Sequence, residues 1–166
     1  IAFIICEIFI VATGGSLLSL EAALKVIGLL ILSVLLASSM NMLFVLFTNT
    51  LSAFSTLSTI IGTLIGFLAG VYVPMGVLPT FAQNLIMLFP ISHSSLLLRD
   101  AFMAESINKV FAGVPIEHIE AYKINFGIMY EMNGSTLDTS TSLVVIIGSI
   151  LIFSIVSIII FKKKNK

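Results

Sequence analysis

Charge is what this sequence has least of. Asp, Glu, Lys and Arg make up 10% of its 166 residues, eight basic against eight acidic, so the formal net charge is zero. A soluble domain carries about 25% charged residues, because polar side chains must cover its surface. Here 58% of residues are hydrophobic and the mean hydropathy is +1.19. Such a chain cannot hide its apolar surface from water and needs lipid as its solvent. Zero net charge also removes the electrostatic grip that nucleic-acid binding depends on, so no nucleic-acid partner is expected. Cysteine is nearly absent: Cys6 stands alone, which excludes an internal disulfide and a cysteine-based metal cluster. There is no HExxH zinc motif, no GxSxG elbow and no Walker A loop, so no catalytic, cofactor-binding or metal-binding residue is assigned and an enzyme is not expected. No acidic ring or carbonyl filter motif points to a channel.

What is present is long apolar runs. A membrane-crossing helix needs about 20 mostly apolar residues. Four stretches approach that: 1–18, apolar apart from Glu7; 26–47, without a charge; 56–73, stopping at Pro74; and 143–161, stopping at Lys162-Lys163-Lys164. A fifth apolar piece, within about 79–98, is interrupted by Pro90 and carries Gln83, Asn84 and His93, which makes it a poor crossing. The expected fold is an all-α integral membrane one, with four transmembrane helices, a re-entrant hairpin on the outer side and a small outer loop region at about 99–142. Ile1 opens inside an apolar run with no charged n-region, so the sequence is read as the C-terminal part of a single transmembrane domain.

The lysines orient it. Lys162, Lys163, Lys164 and Lys166 follow the last run directly, which marks the C-terminus as cytoplasmic. Counting back, 74–142 faces outside, 48–55 inside and 19–25 outside, with the start of the sequence near the cytoplasmic face. The outer segment agrees: Arg99, Lys109 and Lys123 against Asp100, Glu105, Glu117, Glu120, Glu131 and Asp138 is three minus six, or −3. Within it, Pro115 opens a short amphipathic helix carrying Ile116, Ile119 and Phe126. Ile128, Tyr130 and Met132 alternate before Asn133-Gly134, a hairpin signal.

Four small residues recur every fourth position in the third run: Ser58, Gly62, Gly66 and Gly70. Such stripes let helix backbones approach closely in lipid. Two readings stay open, packing on span two or four, or a subunit interface or translocation-path lining. Asn41, in the second run, reads as an interhelical hydrogen-bonding group or a substrate contact. Glu7 is either an intramembrane carboxylate with a role or an interfacial one. His93 and His118 read as isolated interfacial residues. Pro74 and Pro79 disrupt helix while Gly70 and Gly76 permit unusual dihedrals, and a segment that stops half-way and returns is tolerated where protein or a wet cavity covers its backbone.

Gly70, Pro74, Leu78-Pro79, Pro90 and Arg99, in that order and spacing, resemble the signature of type-2 ATP-binding-cassette (ABC) exporter permeases. Where that family often has Asn before the proline, this chain has Phe89. The resemblance covers nearly the whole chain and implies spans three to six of six, with the re-entrant hairpin after the fifth. Arg99-Asp100 would then end the hairpin as interface anchors. It implies a permease subunit in the cell membrane that forms half of a translocation path for a drug, antibiotic peptide, lipid or polysaccharide. The implied partners are a second permease subunit, as homo- or heterodimer, membrane lipid, and a separate ABC ATPase subunit that holds the ATP and Mg. The competing reading is a four-span scaffold or receptor-like protein without transport.

Overall fold

The computed structural model describes residues 2–15, 17–70, 72–132 and 135–164. In chain order these form α1 (Ala2–Ala12), α2 (Leu20–Phe47), α3 (Leu51–Leu68), a 3-10 turn (Met75–Val77), α4 (Thr80–Met87), α5 (Pro90–Val110), α6 (Ile116–Asn125), β1 (Glu131–Met132), β2 (Ser135–Thr136) and α7 (Thr139–Lys164). The chain is all-α apart from that small antiparallel hairpin, in which Glu131 pairs with Thr136 and Met132 with Ser135. Its expected turn, Asn133-Gly134, lies outside the described residues. By length and composition α2, α3 and α7 can each cross a membrane. Helices α4 and α5 would count as a fourth crossing only together, and they bend by 92° at their junction.

Polar caps set the helix ends. Ser19 accepts from the Ala22 amide, so α2 begins six residues before the uncharged run. Thr50 does the same for Ala53, which shortens the expected inner loop 48–55 to a three-residue turn, 48–50. The third run does not continue to residue 73. It ends at Leu68, because Gly70 takes a left-handed φ of 63° and its amide bonds back to the Phe67 carbonyl. Helix α7 starts four residues before 143, where the Thr141 and Ser142 amides bond to the Asp138 carbonyl.

Within the expected span 1–18 the helix stops before residue 18. Helix α1 runs from Ala2 to Ala12. Gly14, at φ 89°, closes it: its amide reaches Val11 and that of Gly15 reaches Ile10, the paired bonds of a Schellman stop. Phe3, at the start of α1, packs on Phe102 of α5, so the start of α1 lies against α5. The boundary at Leu98 also moves. Pro90 sits in the first turn of α5, where its missing N–H costs nothing, and α5 runs on to Val110. Arg99 and Asp100 are therefore mid-helix residues and do not end the hairpin.

Helices α2, α5 and α7 enclose the core. Leu36, Leu97 and Ile146, one from each, are all 1% exposed, and Met75, Ile86, Met87, Leu96 and Tyr130 join them. The polar contacts fix their register. Along α2, the Ser19 amide meets Glu105, Lys25 meets Asp100 and Ser33 meets Ser94, so α5 runs antiparallel to α2. Helix α7 runs with α2: Ser142 meets His93 near its start, and Lys164 reaches Asn49 at its end. The end of α3 meets Ser95 and Arg99. Gly70, the 3-10 turn, α6, the hairpin and the start of α7 thus gather at one end of the molecule, with Asn49 and Lys164 at the other.

Leu97→Ala should cost about 2–5 kcal/mol through the cavity it leaves. Ile152→Ala, at a position 59% exposed, should stay within about 0.5 kcal/mol. Thermal unfolding of the two variants in nanodiscs checks the difference.

Candidate functional site

Helix ends are the difficult part of a chain with little water around it, because the last carbonyls of every helix lack intrahelical donors. Arg99 answers this for two helices at once. One guanidinium nitrogen, Nη2, donates to the Ala69 and Gly70 carbonyls, both at 2.7 Å, and Nη1 donates to the Phe126 carbonyl at 3.1 Å. These are the C-terminal carbonyls of α3 and α6, where the helix dipole favours a cation. Ser95, one turn earlier on α5, donates a further bond to Ala69 at 2.9 Å. Gly70 and Gly127, at φ 63° and 66°, supply the left-handed turns. A Cβ on either would stand 3.1 or 2.9 Å from Arg99 Nη1, so the missing side chains also admit the guanidinium. Gly70 and Arg99, both singled out in the sequence, therefore come together. Beside them Asp100 meets Lys25 at 3.8 Å and Lys123 at 3.7 Å, joining α2, α5 and α6.

The bend between α4 and α5 is held by the first turn of α5. The Ser92 hydroxyl donates to the Ile86 and Phe89 carbonyls at 2.8 and 2.7 Å. His93 Nε2 lies 2.8 Å from the Met87 carbonyl, which makes it the protonated nitrogen and leaves Nδ1 to accept from the Ser142 hydroxyl at 3.0 Å. The Tyr130 hydroxyl donates to the Ser92 carbonyl at 3.1 Å, and the His93 and Tyr130 rings meet edge to face. At 2% exposure His93 is not the isolated interfacial residue expected from sequence. It ties α4, α5 and α7. The run Pro90-Ile91-Ser92-His93-Ser94-Ser95, polar groups directly after a breaking proline, was the available signal.

Other singled-out residues fall apart from this centre. Pro74 leads into the 3-10 turn, Leu78 follows it and Pro79 precedes α4, while Gln83 Nε2 donates back to the Met75 and Leu78 carbonyls at 3.0 and 2.9 Å. The residues of the small stripe on and after α3 differ in their surroundings. Nothing lies within 4 Å of where a Cβ on Gly62 would stand, and a Cβ on Gly66 would overlap the ring of Tyr72, which packs on Phe67. Ser58 is half-buried. Asn41 is exposed on α2. Glu7 Oε2 accepts from the Leu18 amide at 3.2 Å, and Oε1 is buried without a hydrogen-bond partner among the described residues. No group of three or more His, Cys, Asp or Glu among the described residues is placed to hold a metal ion.

Together these residues make one end of the molecule, where side chains of α5 donate to the terminal carbonyls of α3, α4 and α6. Comparison with protein-family models, curated proteins and solved structures finds no match to this chain.

Arg99→Lys should lose about 3 kcal/mol, because an ammonium cannot reach three carbonyls from one plane. Limited proteolysis between Gly70 and Pro79 should quicken, and an unchanged cleavage rate would contradict the clamp. Burial pushes the Tyr130 phenol above its ordinary value, with the Arg99 charge opposing. A raised value means the folded state prefers the neutral phenol. Stability is then flat below about pH 10, the ordinary tyrosine range, and falls as pH rises above it. Thermal midpoints of the parent and of Tyr130→Phe, measured across that range, should converge as pH rises.

Proposed function

We propose that this chain is the C-terminal membrane portion of an ABC exporter permease of type 2, forming half of a translocation path. The observation that supports it most is the course of α5 along α2. From the Ser94–Ser33 contact to the Glu105–Ser19 contact, α5 climbs the half of α2 nearest the outer end. Ser33 lies about 20 Å along α2 from Leu20 at ~1.5 Å per residue, near the middle of that 28-residue helix. A segment that bends by 92° where α5 begins, beside the middle of α2, fits a re-entrant hairpin. In this reading residues 70–138 are outside and Lys162 to Lys164 are cytoplasmic.

A second feature supports a path between two copies. Helix α3 exposes Ser52, Ser55, Thr56, Thr59, Gly62 and Thr63. The Thr56, Thr59 and Thr63 hydroxyls each bond the carbonyl four residues back, at 3.0 Å, so they are satisfied in lipid and still able to meet water. The open position at Gly62 lies on the same helix and suits close approach of a second permease subunit. The ABC ATPase binds ATP and Mg and drives alternating access. The cargo is a drug, antibiotic peptide, lipid or polysaccharide.

The test has two arms. In a Cys6→Ser background of the full-length protein, Thr80→Cys and Ser106→Cys should react with an impermeant thiol reagent in intact cells, and Lys163→Cys only after permeabilisation. The full-length protein, purified in mild detergent, should bring with it an ATPase subunit bearing a Walker A loop. Labelling of Ser106→Cys from the cytoplasmic side only would end the re-entrant reading. Correct labelling with no ATPase partner would favour the four-span scaffold.

A further inference from the structure

The end of the molecule that carries α6 and the hairpin contains a cavity of about 340 Å³ between the 3-10 turn, α4, α6 and β1. That is within the range of small-ligand sites. Its apolar walls include three methionines, Met75, Met87 and Met129, brought from three different parts of the chain. Thioether side chains are polarizable and adapt to irregular apolar bodies, and they rarely gather at one site. Met75 and Met87 are buried, so the cavity floor is anchored in the core.

The polar groups in its walls include one carboxylate, and two of them offer amide oxygens. Gln83 has spent its amide N–H groups on the Met75 and Leu78 carbonyls, which leaves its oxygen available. Asn84 is exposed at the wall, and Glu131 supplies a carboxylate. An adjoining hollow of about 420 Å³ shares Gly76, Ile124 and Glu131 with the first and adds Glu117 and Glu120. No Lys or Arg is among the described residues lining either space. Gly76 sits where the two spaces meet, and a Cβ there would overlap the Asn125 amide, so the backbone comes close to α6 because glycine stands there.

We propose that this cavity binds a small amphipathic amine, its apolar body against the methionines and its ammonium between Glu131 and the amide oxygens of Gln83 and Asn84. An ammonium brings the positive charge that these walls lack. An anion there would meet the Glu131 carboxylate and no cation among the described lining residues. The site stands on its own geometry and does not require the exporter reading.

The test uses the full-length protein in neutral-lipid nanodiscs with methyl-labelled methionine, followed by NMR. The probes are phenylbutylammonium, phenylbutanol and phenylbutyrate, which share one apolar body and differ in head group. Phenylbutylammonium should shift the Met75, Met87 and Met129 methyl signals saturably, about tenfold more tightly than the alcohol. Phenylbutyrate should be weakest. Glu131→Gln should abolish the advantage of the ammonium and leave alcohol binding in place, which also shows that the variant is folded. Equal responses to all three probes would overturn the proposal. So would shifts of Met40 and Met103, outside the cavity, with the same concentration dependence, or an ammonium advantage that survives Glu131→Gln.

Discussion

A backbone carbonyl at a helix end must find a donor, and where lipid replaces water only the protein can supply it. Most of the end that gathers Gly70, the 3-10 turn, α6 and the hairpin depends on how this chain meets that demand. Arg99 holds the ends of α3 and α6 through three carbonyls. Ser92 and His93 hold the end of α4 through three more, those of Ile86, Met87 and Phe89. All the donors sit on α5, so one helix carries the terminations of three others. Hydrogen bonds to a charged group contribute about 1.5–3 kcal/mol each. Partly exposed ion pairs such as Lys25–Asp100 contribute about 0–1 kcal/mol. The carbonyl contacts therefore outweigh the charge pairs beside them, and the salt bridges adjust an arrangement already made.

This division also separates a rigid part of the molecule from an open one. The α2, α5 and α7 core is interlocked by Leu36, Leu97 and Ile146 along with the Ser33–Ser94 and His93–Ser142 contacts. Helix α3 is tied to it at the ends, by the turn at 48–50 below and by Ser95 and Arg99 above, and has no buried residue of its own. In the permease reading that freedom has a use. A helix fixed at both ends, with an open small-residue and hydroxyl face, can meet a second subunit without disturbing the core that carries the hairpin. The same end of the molecule shapes the methionine-lined cavity, since Met87 lies at the end of α4 and Tyr130 is held by Ser92.

The apolar runs were legible because hydropathy over about 20 residues is a property of composition alone. Their ends were not. Ser19, Thr50 and Asp138 extend helices into polar sequence, and a hydropathy run stops where the apolar residues do, not where the hydrogen bonds do. Arg99 was found, but as a terminator, because a charge after an apolar run looks like an exit from lipid. In the structure nothing between Pro90 and Gly113 breaks the helix, so it continues through the charge. His93 was missed because its partners are distant in sequence: Ser142 is 49 residues away. The spacing of Ser58, Gly62, Gly66 and Gly70 showed that these positions share a face, but not what covers it, and Tyr72 over Gly66 follows only from the fold of the next turn.

The central claim is that α5 begins beside the middle of α2 and returns toward its outer end. Ser33 and Ser94 mark that meeting point, with their hydroxyls in hydrogen-bond contact. In full-length protein carrying Cys6→Ser, the pair Ser33→Cys with Ser94→Cys should form a disulfide rapidly under mild oxidation in native membranes. The pair Phe44→Cys with Ser94→Cys should not, since Phe44 lies about 16 Å further along α2 at ~1.5 Å per residue. Cross-linking at position 44 and none at 33 would place the start of α5 at the far end of α2, and the hairpin, with everything built on it, would be wrong.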